Sequence, residues 1–291
     1  MAPLNKAAAL INIKRRAMKY SQTGKHPDIP VRNADFGFAD IPKYWFNRDP
    51  LFTHYFTGLS TLFPEGEAFF VRSVRKLRAR VRGNEELDSR IGAFIGQEAM
   101  HSREHEAFHV SAQKHGLDPK SLEAWTGKIL GFMERNFSEK SQLLITTALE
   151  HYTAVLVVEM MKDIHEMMDD KNVRDLWLWH SIEETEHKSV AYDMYEYLYG
   201  KGWTSYFSRV SMYVLSLSTI TVVSLVYAFV LMKRDGQLLN MNSYRRFLPF
   251  ALRSYVRFAP KFLAYLRPGF HPDDYNDDML VDKTKKMIGI S

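Results

Sequence analysis

The chain has 291 residues, of which 46% are hydrophobic and 25% are charged, and its formal net charge is +5. This is the composition of a globular protein, so a disordered chain is excluded. There is no cysteine, which excludes disulfides, thiolate nucleophiles, iron–sulfur clusters and cysteine-ligated zinc, and leaves His, Asp and Glu as the ligands for any metal.

The N-terminal part, residues 1–50, is predicted to be an extended approach segment. Its stretch HPDIPVRNADFGFADIPKYW is rich in Pro and Asp and has no helical periodicity. The first twenty residues, MAPLNKAAALINIKRRAMKY, have no cleavage-like end after their short apolar run, so no secretory signal is predicted. Together with the absence of cysteine, this favours a cytoplasmic protein.

The middle part, residues 51–200, is predicted to be a helical domain, because apolar residues recur at helical spacing without the alternation typical of strands. Breakers such as GNEEL, HGLDP, DDKN and GKGW separate four long helices at 51–82 (with a break at Pro64), 87–115, 139–169 and 172–200. Four long helices joined by short links favour an all-α four-helix bundle.

The C-terminal part, residues 201–291, is predicted to add apolar and amphipathic helices. No charged residue lies between Ser211 and Met232, and a helix of that length would measure roughly 33 Å, enough to cross a bilayer. A wholly buried core helix is the alternative. The following stretch FLPFALRSYVRFAPKFLAYL mixes aromatic and basic residues, as helices at a membrane surface do. Because residues 243–267 contain no acidic residue, an anionic membrane surface is favoured over nucleic acid as partner.

Glu-x-x-His pairs lie on the second and fourth predicted helices. Residues three apart on a helix share one face, so both side chains of such a pair can reach one metal ion. Three pairs occur: Glu98–His101, Glu106–His109 and Glu184–His187. Glu98 and His101 continue an apolar stripe, whereas Glu106 shares its face with Arg103, so the former pair is expected to bind metal. His105, one turn beyond His101, is interpreted as an ordinary core histidine hydrogen-bonded to a neighbouring helix, with a role in supporting the ligands as the alternative.

The other two helices are each expected to contribute one glutamate. Glu150 lies in the apolar stretch QLLITTALEHYTAVLVVEMM, where a carboxylate is costly unless it is paired or bound to metal. Its rival Glu159 points to nearly the opposite side of the same helix. On the first helix Glu67 faces the apolar side, whereas Glu65 is a natural first-turn charge at a helix N-terminus. Glu67 and Glu150 are therefore the expected ligands.

The stretch HSIEETEH, residues 180–187, supplies the remaining candidates. His180, Glu184 and His187 fall on one face of a helix, so all three are predicted to reach the metal. For His180, a donor behind the ligands or a member of an aromatic cluster are the alternatives. Glu183 and Glu186 point elsewhere and are expected to be solvated.

The motifs FPEGE, IGQEAMHSREH, ALEHYTA and WHSIEETEHKSVAYD carry a family resemblance. Their order of Glu, Glu-x-x-His, Glu and Glu-x-x-His resembles the ferritin-like di-iron carboxylate superfamily, and the added histidine resembles p-aminobenzoate N-oxygenase-type enzymes. The amino-acid sequences of the motifs resemble even more closely a bacterial family known as predicted metal-dependent hydrolases, and that resemblance covers most of the chain. It implies a ferritin-like bundle with metal ligands Glu67, Glu98, His101, Glu150, His180, Glu184 and His187.

The resemblance to di-iron enzymes implies two iron ions, with manganese or zinc as alternatives, O2 as a co-substrate and an electron donor as partner. The leading hypothesis is a non-haem di-iron oxygenase that hydroxylates or N-oxygenates a lipophilic small molecule. A metal-dependent hydrolase using a metal-bound hydroxide is the first alternative, and a non-catalytic metal-binding protein is the second. The apolar C-terminal part favours a lipid-like substrate and the inner face of the cytoplasmic membrane. No nucleic-acid partner is expected, and a homodimer is considered.

Overall fold

The computed structural model describes residues 29–290, and over these residues the fold is all-α, which confirms the predicted fold class. The helices are α1 (Pro50–Ser60), α2 (Phe63–Arg78), α3 (Glu85–Gln113), α4 (Pro119–Asn136), α5 (Glu139–Lys162), α6 (Lys171–His187), α7 (Val190–Tyr199), α8 (Trp203–Arg234), α9 (Met241–Ala264) and α10 (Asp278–Ile288). Two short 3-10 helices lie in the connections, at Ile164–Met167 and Pro272–Asp274. Over the described range, β-pairing is limited to an isolated bridge between Phe46 and Met168.

The N-terminal approach segment can be compared with its prediction only from residue 29 onward. Residues 29–49 contain turns and no helix, and they lie against α6, where Arg32 reaches two of its glutamates at 3.0 and 2.8 Å. The stretch on which the absence of a secretory signal was judged lies outside the described residues.

The break predicted at Pro64 is confirmed. The helix predicted over 51–82 is divided into α1 and α2 directly before Pro64, which occupies the first turn of α2, where a proline costs no hydrogen bond. Two other predicted helices differ from the structure: the one over 172–200 is divided into α6 and α7, and the one over 139–169 ends at Lys162. The apolar periodicity runs on through these two boundaries, so it gave no sign of them.

Helix α4 was not predicted. The stretch HGLDP, interpreted only as a breaker, in fact begins this helix, because the Asp118 side chain accepts from the Ser121 N–H and Pro119 occupies the first turn. Gly127 and Gly131 lower the helix propensity of the segment, and two large apolar residues face solvent, which obscures its periodicity.

The four helices that carry the predicted ligands surround one core. Helix α2 packs against α3 and α5, and α6 packs against the same two helices, so the contacts form a closed ring. Such a ring is what a four-helix bundle requires. Its apolar core includes fully buried side chains from three of these helices and α7: Val74, Ile91, Phe94, Leu143 and Met194. The finer, ferritin-like assignment of the bundle stays a prediction.

The C-terminal helices cover one side of this bundle. Helices α8 and α9 both pack against α1 and α5, and α10 packs against α5 and α6. The α1–α8 contact is close because Gly58 has no side chain: a Cβ atom there would lie 3.1 Å from Tyr227 Cβ and 3.2 Å from the backbone nitrogen of Ala228. The buried Arg209 of α8 donates to the carbonyl oxygens of Tyr265 and Arg267, the latter at 2.9 Å, and so joins α8 to the end of α9.

Candidate metal centre

All seven predicted ligands lie together inside the ring of four helices. Each side chain is at most 2% exposed. Helix α2 contributes Glu67, α3 contributes Glu98 and His101, α5 contributes Glu150, and α6 contributes His180, Glu184 and His187. Four separate helices therefore bring the carboxylates and imidazoles to one buried place, as the spacing of the motifs requires.

Glu184 lies at the centre of the cluster. Its Oε1 atom is 3.2 Å from His180 Nε2, 3.4 Å from His187 Nε2 and 3.6 Å from His101 Nδ1. Three overlapping trios each place one ligand atom per residue within 4.8 Å of the others: Glu67, His101 and His180; Glu98, Glu150 and His187; Glu98, His101 and Glu184. The donors are thus spread over adjoining positions that share Glu98 and His101.

Many donor atoms of the cluster are buried and have no hydrogen-bond partner among the described residues. They are Oε1 of Glu67, both side-chain oxygens of Glu98 and Glu150, Oε2 of Glu184, Nδ1 of His101 and Nε2 of His187. Leaving a buried polar atom unpaired costs about 1–3 kcal/mol, so this many in one place is unfavourable for the protein alone. Bound cations would satisfy them, and carboxylate with imidazole is a donor set that suits iron, manganese or zinc. The residues present therefore fit a metal centre.

The electrostatics of the cluster lead to the same conclusion. Burial and the charge of neighbouring carboxylates raise the pKa values of Glu67, Glu98 and Glu150 well above their ordinary range. Burial would raise the pKa of Glu184 too, but nearby histidines, chiefly His187, outweigh it and hold that pKa well below the ordinary value. The cluster does not have enough positive charge of its own to keep all its carboxyl groups ionised. Bound cations would supply the missing positive charge.

Two of the histidines have polar side chains behind them. His187 Nδ1 lies 2.8 Å from Gln97 Oε1, and the amide nitrogen of Gln97 donates to Glu186 at 3.0 Å. His101 Nε2 lies 3.2 Å from Glu183 Oε2, and burial lowers the pKa of His101 well below its ordinary value, so the ring is neutral. For His187, Nδ1 is therefore occupied by an outer partner and Nε2 faces the cluster, which is how proteins orient metal-binding histidines. Glu183 lies beside His101 without forming a hydrogen bond to it.

The prediction that Glu183 and Glu186 are solvated is wrong. They are 0% and 6% exposed, and Arg32 donates to Glu183 at 3.0 Å and to both oxygens of Glu186 at 2.8 Å, while Lys285 lies 2.9 Å from Glu186. Burial raises the pKa of Glu183 to about 8 against the pull of Arg32. The pKa of Glu186 is lowered despite burial, because Arg32 and Lys285 both stabilise its charge. Helix periodicity cannot show that two distant segments cover this side of α6.

A chain of hydrogen bonds leads away from His180. His180 Nδ1 lies 2.8 Å from His105 Nε2, His105 Nδ1 lies 2.7 Å from Ser60 Oγ, and Ser60 Oγ lies 2.7 Å from His109 Nε2. His109 Nδ1 then contacts the carboxylate of Glu123 on α4. One assignment of protons satisfies every member: each ring donates outward from Nδ1 and accepts at Nε2, and Glu123 accepts last. The same assignment leaves the Nε2 lone pair of His180 directed at the cluster.

The sequence indicated part of this chain. His101, His105 and His109 recur every four residues on one face of α3, and a role for His105 in supporting the ligands was the alternative interpretation, which its place behind His180 favours. Ser60 and Glu123 were missed. They lie on α1 and on the unpredicted α4, and a serine at a helix end or a glutamate among surface residues gives no signal by itself.

The three rival glutamates lie elsewhere. Glu159 is buried but paired with Lys162 at 2.8 Å and with Arg257 of α9. Glu106 is exposed, and Glu65 lies in the first turn of α2 beside α4. None of the three belongs to the trios of close ligand atoms found among the described residues.

An apolar pocket reaches the cluster from one side. Its empty volume is about 760 Å³, open solvent at its mouth included, and Glu67, His180 and Glu184 form its inner end. Helices α2, α4, α5 and α8 line the rest, mostly with apolar side chains such as Phe63, Phe70, Ile129, Met133, Leu149 and Ile220. A ligand that filled this space would bring its reacting group to the cluster and its apolar part against these side chains.

Comparison with known proteins supplies the family. The family described as predicted metal-dependent hydrolase matches residues 30–276, most of the chain, and the protein belongs to it. This confirms that part of the resemblance expected from the motifs. The comparisons with curated proteins and with solved structures returned no match.

Proposed function

We propose that this member of the predicted metal-dependent hydrolase family is a dinuclear metal enzyme that hydrolyses an ester or amide bond in a largely apolar small molecule. The observation that carries the proposal is the set of unpartnered carboxylate and imidazole atoms at the inner end of the apolar pocket. The family description favours hydrolysis over the oxygenase chemistry that the resemblance to di-iron enzymes implies.

The proposal of two ions rests on how the trios overlap. One trio of ligand atoms contains Glu67 and His180, another contains Glu150 and His187, and a third joins them through Glu98, His101 and Glu184. Seven donors exceed what one ion of this class takes in a protein with water left in its shell. Glu98 and Glu184, the carboxylates of the joining trio, would be among the residues that hold the ions. Zinc, manganese and iron all suit this donor set.

A bound divalent cation would polarise the carbonyl of the substrate and lower the pKa of water beside it. The chain's own residues supply the rest. Gln97 holds the ring of His187, and the chain beginning at His105 holds the ring of His180, while Glu183 lies 3.2 Å from Nε2 of His101. The aromatic side chains around the cluster exclude bulk water, which strengthens the charge interactions inside it.

The shape of the pocket supports an apolar substrate. Glu67, His180 and Glu184 are the polar groups at its inner end, and Thr126, Thr153, Ser216 and Thr219 are the polar groups along its walls. With so few charged partners, it has little to offer a phosphate or a sugar, whereas an acyl chain would bury its surface there at about 25 cal/mol per Å².

The test is hydrolysis of p-nitrophenyl esters of increasing acyl length by protein loaded separately with zinc, manganese and iron. We expect at least one metal to give activity that rises with chain length and that chelation removes. Glu184→Gln should reduce the rate to background and lower the metal content, whereas Glu106→Gln, on the exposed side of α3, should leave both unchanged. Absence of ester and amide hydrolysis with all three metals would contradict the proposal.

A di-iron oxygenase is the second candidate, and the donor set favours it. A Glu-x-x-His pair on each of two helices with single glutamates from two others is the ligand pattern of carboxylate-bridged di-iron proteins. Such an enzyme would consume O2 and electrons from a donor. Anaerobic iron loading followed by O2 exposure distinguishes the two: O2 uptake with oxidation of iron, followed by Mössbauer spectroscopy, supports the oxygenase, and unchanged ferrous iron supports the hydrolase.

A further inference from the structure

We infer that the outward sides of α8 and α9 form a membrane-binding surface that enters one leaflet of an anionic bilayer, and that the pocket over the metal centre opens beside it. We call this surface the apolar face. Its main members are Phe207, Val222, Leu225 and Phe229 on α8, and Leu252 and Val256 on α9. The membrane contact stands without the proposed function, whereas the substrate path rests on it.

Helix α8 exposes large apolar side chains to solvent. Most of its exposed positions recur every three to four residues and carry such side chains, among them Phe207 at 61% and Val222 at 59% exposure. Its inward side buries Leu231 and Met232 as well as Arg209 and Ser216, so the helix is apolar on both sides. A surface helix in water is polar on its exposed side, and an exposed apolar stripe of this length marks a surface that is covered in use.

Helix α9 extends the exposed stripe. Leu248, Leu252, Val256 and Leu263 are each at least 60% exposed and recur at helical spacing. Because α8 and α9 both pack against α1 and α5, their outward sides point away from the same side of the core. The two stripes together make a surface broad enough to lie in a leaflet without spanning it.

The charges around the apolar face match anionic lipid. Between residues 201 and 271 the chain has one acidic residue, Asp235, and that carboxylate is buried against Lys43 and His54. Arg245 and Arg253 are exposed on α9 and form no ion pair with any described residue. Basic side chains beside an apolar surface bind anionic head groups. A second copy of the chain would instead bring like charges together.

The pocket and the apolar face share helix α8. Thr219, Ile220 and Val223 line the pocket, while Val222 belongs to the exposed stripe. Near the C-terminal end of α8, the Tyr227 hydroxyl bonds to α4, through Thr126 Oγ1 at 2.9 Å and the carbonyl of Leu122 at 3.0 Å.

Beyond that junction the half-buried Ile129 and Met133 of α4 and Val223 of α8 form the pocket wall. The mouth is therefore assigned to the gap between α4 and α8. A substrate would enter there with its apolar chain still in lipid, which makes a lipophilic acyl compound of the bilayer the expected substrate class.

The membrane contact is tested by sedimentation of the metal-loaded protein with vesicles of phosphatidylcholine alone or mixed with phosphatidylglycerol. We expect binding to the mixed vesicles and weaker binding to the neutral ones. The double variant Val222→Glu with Leu225→Glu should bind at least tenfold less. The matched control is Val110→Glu on α3, half exposed but outside the apolar face, which should bind like the wild type.

Charge is tested separately. The double variant Arg245→Gln with Arg253→Gln should lose affinity for the mixed vesicles and keep its weaker affinity for the neutral ones. No binding of the wild type to either vesicle would overturn the inference. So would a stable dimer, seen by light scattering without lipid, that Leu225→Glu dissociates, since the occupant of the face would then be a second copy.

The path is tested with a fluorescent long-chain fatty acid as probe, so that its readout does not depend on hydrolysis. Val223→Trp fills the mouth and should weaken probe binding at least tenfold while leaving metal content and vesicle binding unchanged. Val222→Trp, one residue away on the exposed side, should bind the probe normally. Equal binding by both variants would refute the assigned mouth. Normal probe binding with no hydrolysis would refute only the proposed function.

Discussion

Helices α5 and α8 are both long and apolar enough to cross a membrane by length and composition, yet they occupy opposite environments. In the most apolar window of α5 89% of the residues are buried inside the protein, against 28% in that of α8. The more apolar of the two helices is the less buried one, so apolar composition alone does not predict burial inside the protein. An apolar stretch shows that a helix must be covered; it does not show by what.

The polar residues of the two helices explain why one is enclosed and the other is not. Glu150 and Glu159 point to different sides of α5. Glu150 lies in the cluster of candidate ligands, and Glu159 pairs with Arg257. On α8 the buried Arg209 and Tyr213 face the protein, where both donate to carbonyl oxygens near the end of α9. The opposite side of α8 carries mainly apolar side chains, which the protein covers only in part.

The largest expected effect comes from the buried charges of α5. Glu150→Ala should abolish the binding of one or both metal ions, because it removes the single ligand that α5 contributes. Glu159→Ala should keep the wild-type metal content, since Glu159 is held by an ion pair outside the cluster. Metal per chain, measured by mass spectrometry after dialysis, decides between them. Loss of metal in Glu159→Ala alone would mean that the wrong glutamate of α5 has been assigned.

Truncation of apolar side chains compares the two helices directly. Leu143 of α5 is 0% exposed, so Leu143→Ala should lower the free energy of unfolding by about 2–5 kcal/mol. Leu225 of α8 is 54% exposed, and Leu225→Ala should change it by less than about 0.5 kcal/mol. Denaturant midpoints in lipid-free buffer measure both. A cost for Leu225→Ala as large as that for Leu143→Ala would show that the apolar face is already covered in solution.

The buried arginine of α8 should have an intermediate effect. Arg209 is 4% exposed and donates to two carbonyl oxygens across to the end of α9. Arg209→Ala should cost about 2 kcal/mol of stability, the value of charged hydrogen bonds lost from a buried place. Arg209→Lys should recover only part of it, because an ammonium group cannot reach both carbonyls in a planar fork. Equal stability of the lysine variant and the wild type would contradict this explanation.

The smallest effect is expected from an ion pair outside both helices. His271 Nε2 lies 2.8 Å from Asp193 Oδ1. Burial opposes the charge of His271, but Asp193 outweighs it and raises the pKa of His271 above 6.5. Burial also opposes the charge of Asp193, but His271 and Arg90 outweigh it and lower the pKa of Asp193 below 3.8. The contribution of charged His271 to the stability of the fold is complete below pH 6.5 and is lost as pH rises through its raised pKa. The contribution of charged Asp193 is complete above pH 3.8 and is lost as pH falls through its lowered pKa.

His271→Asn should therefore destabilise the protein most between about pH 4 and 6.5, the ordinary values for the two groups, and less at higher pH. Thermal melting at pH 5.5 and pH 9 measures the difference. The wild type and the variant should differ more at the lower pH. An equal difference at both values would mean that His271 acts only through packing.

The sequence alone was enough to predict the inward faces of the helices. Glu98 and His101 were chosen over the neighbouring pair because they continue an apolar stripe, and Glu67 was chosen over Glu65 for the same reason. Glu150 was chosen over Glu159 because small and β-branched residues beside it leave room for an ion. All four lie in the cluster. Ligand spacing on a helix is a local property, so one helix at a time was sufficient.

What failed depends on segments distant in sequence. Glu183 and Glu186 look solvated on α6 alone, and only the folded chain brings Arg32 and Lys285 against them. Helix α4 was missed because its exposed apolar residues conceal its periodicity. Without α4, neither the outer end of the histidine chain at Glu123 nor one wall of the pocket could be anticipated.

Helix α1 contacts both helix α8 and the chain of hydrogen bonds behind His180. Gly58 touches α8 at Tyr227, and two residues later Ser60 bonds to His105 and His109 in the chain behind His180. These eleven residues of helix form a short spacer between the apolar face and the cluster. If the apolar face docks as proposed, the depth to which α8 enters the leaflet sets the height of the metal centre above the lipid, and with it which bond along an acyl chain can be reached.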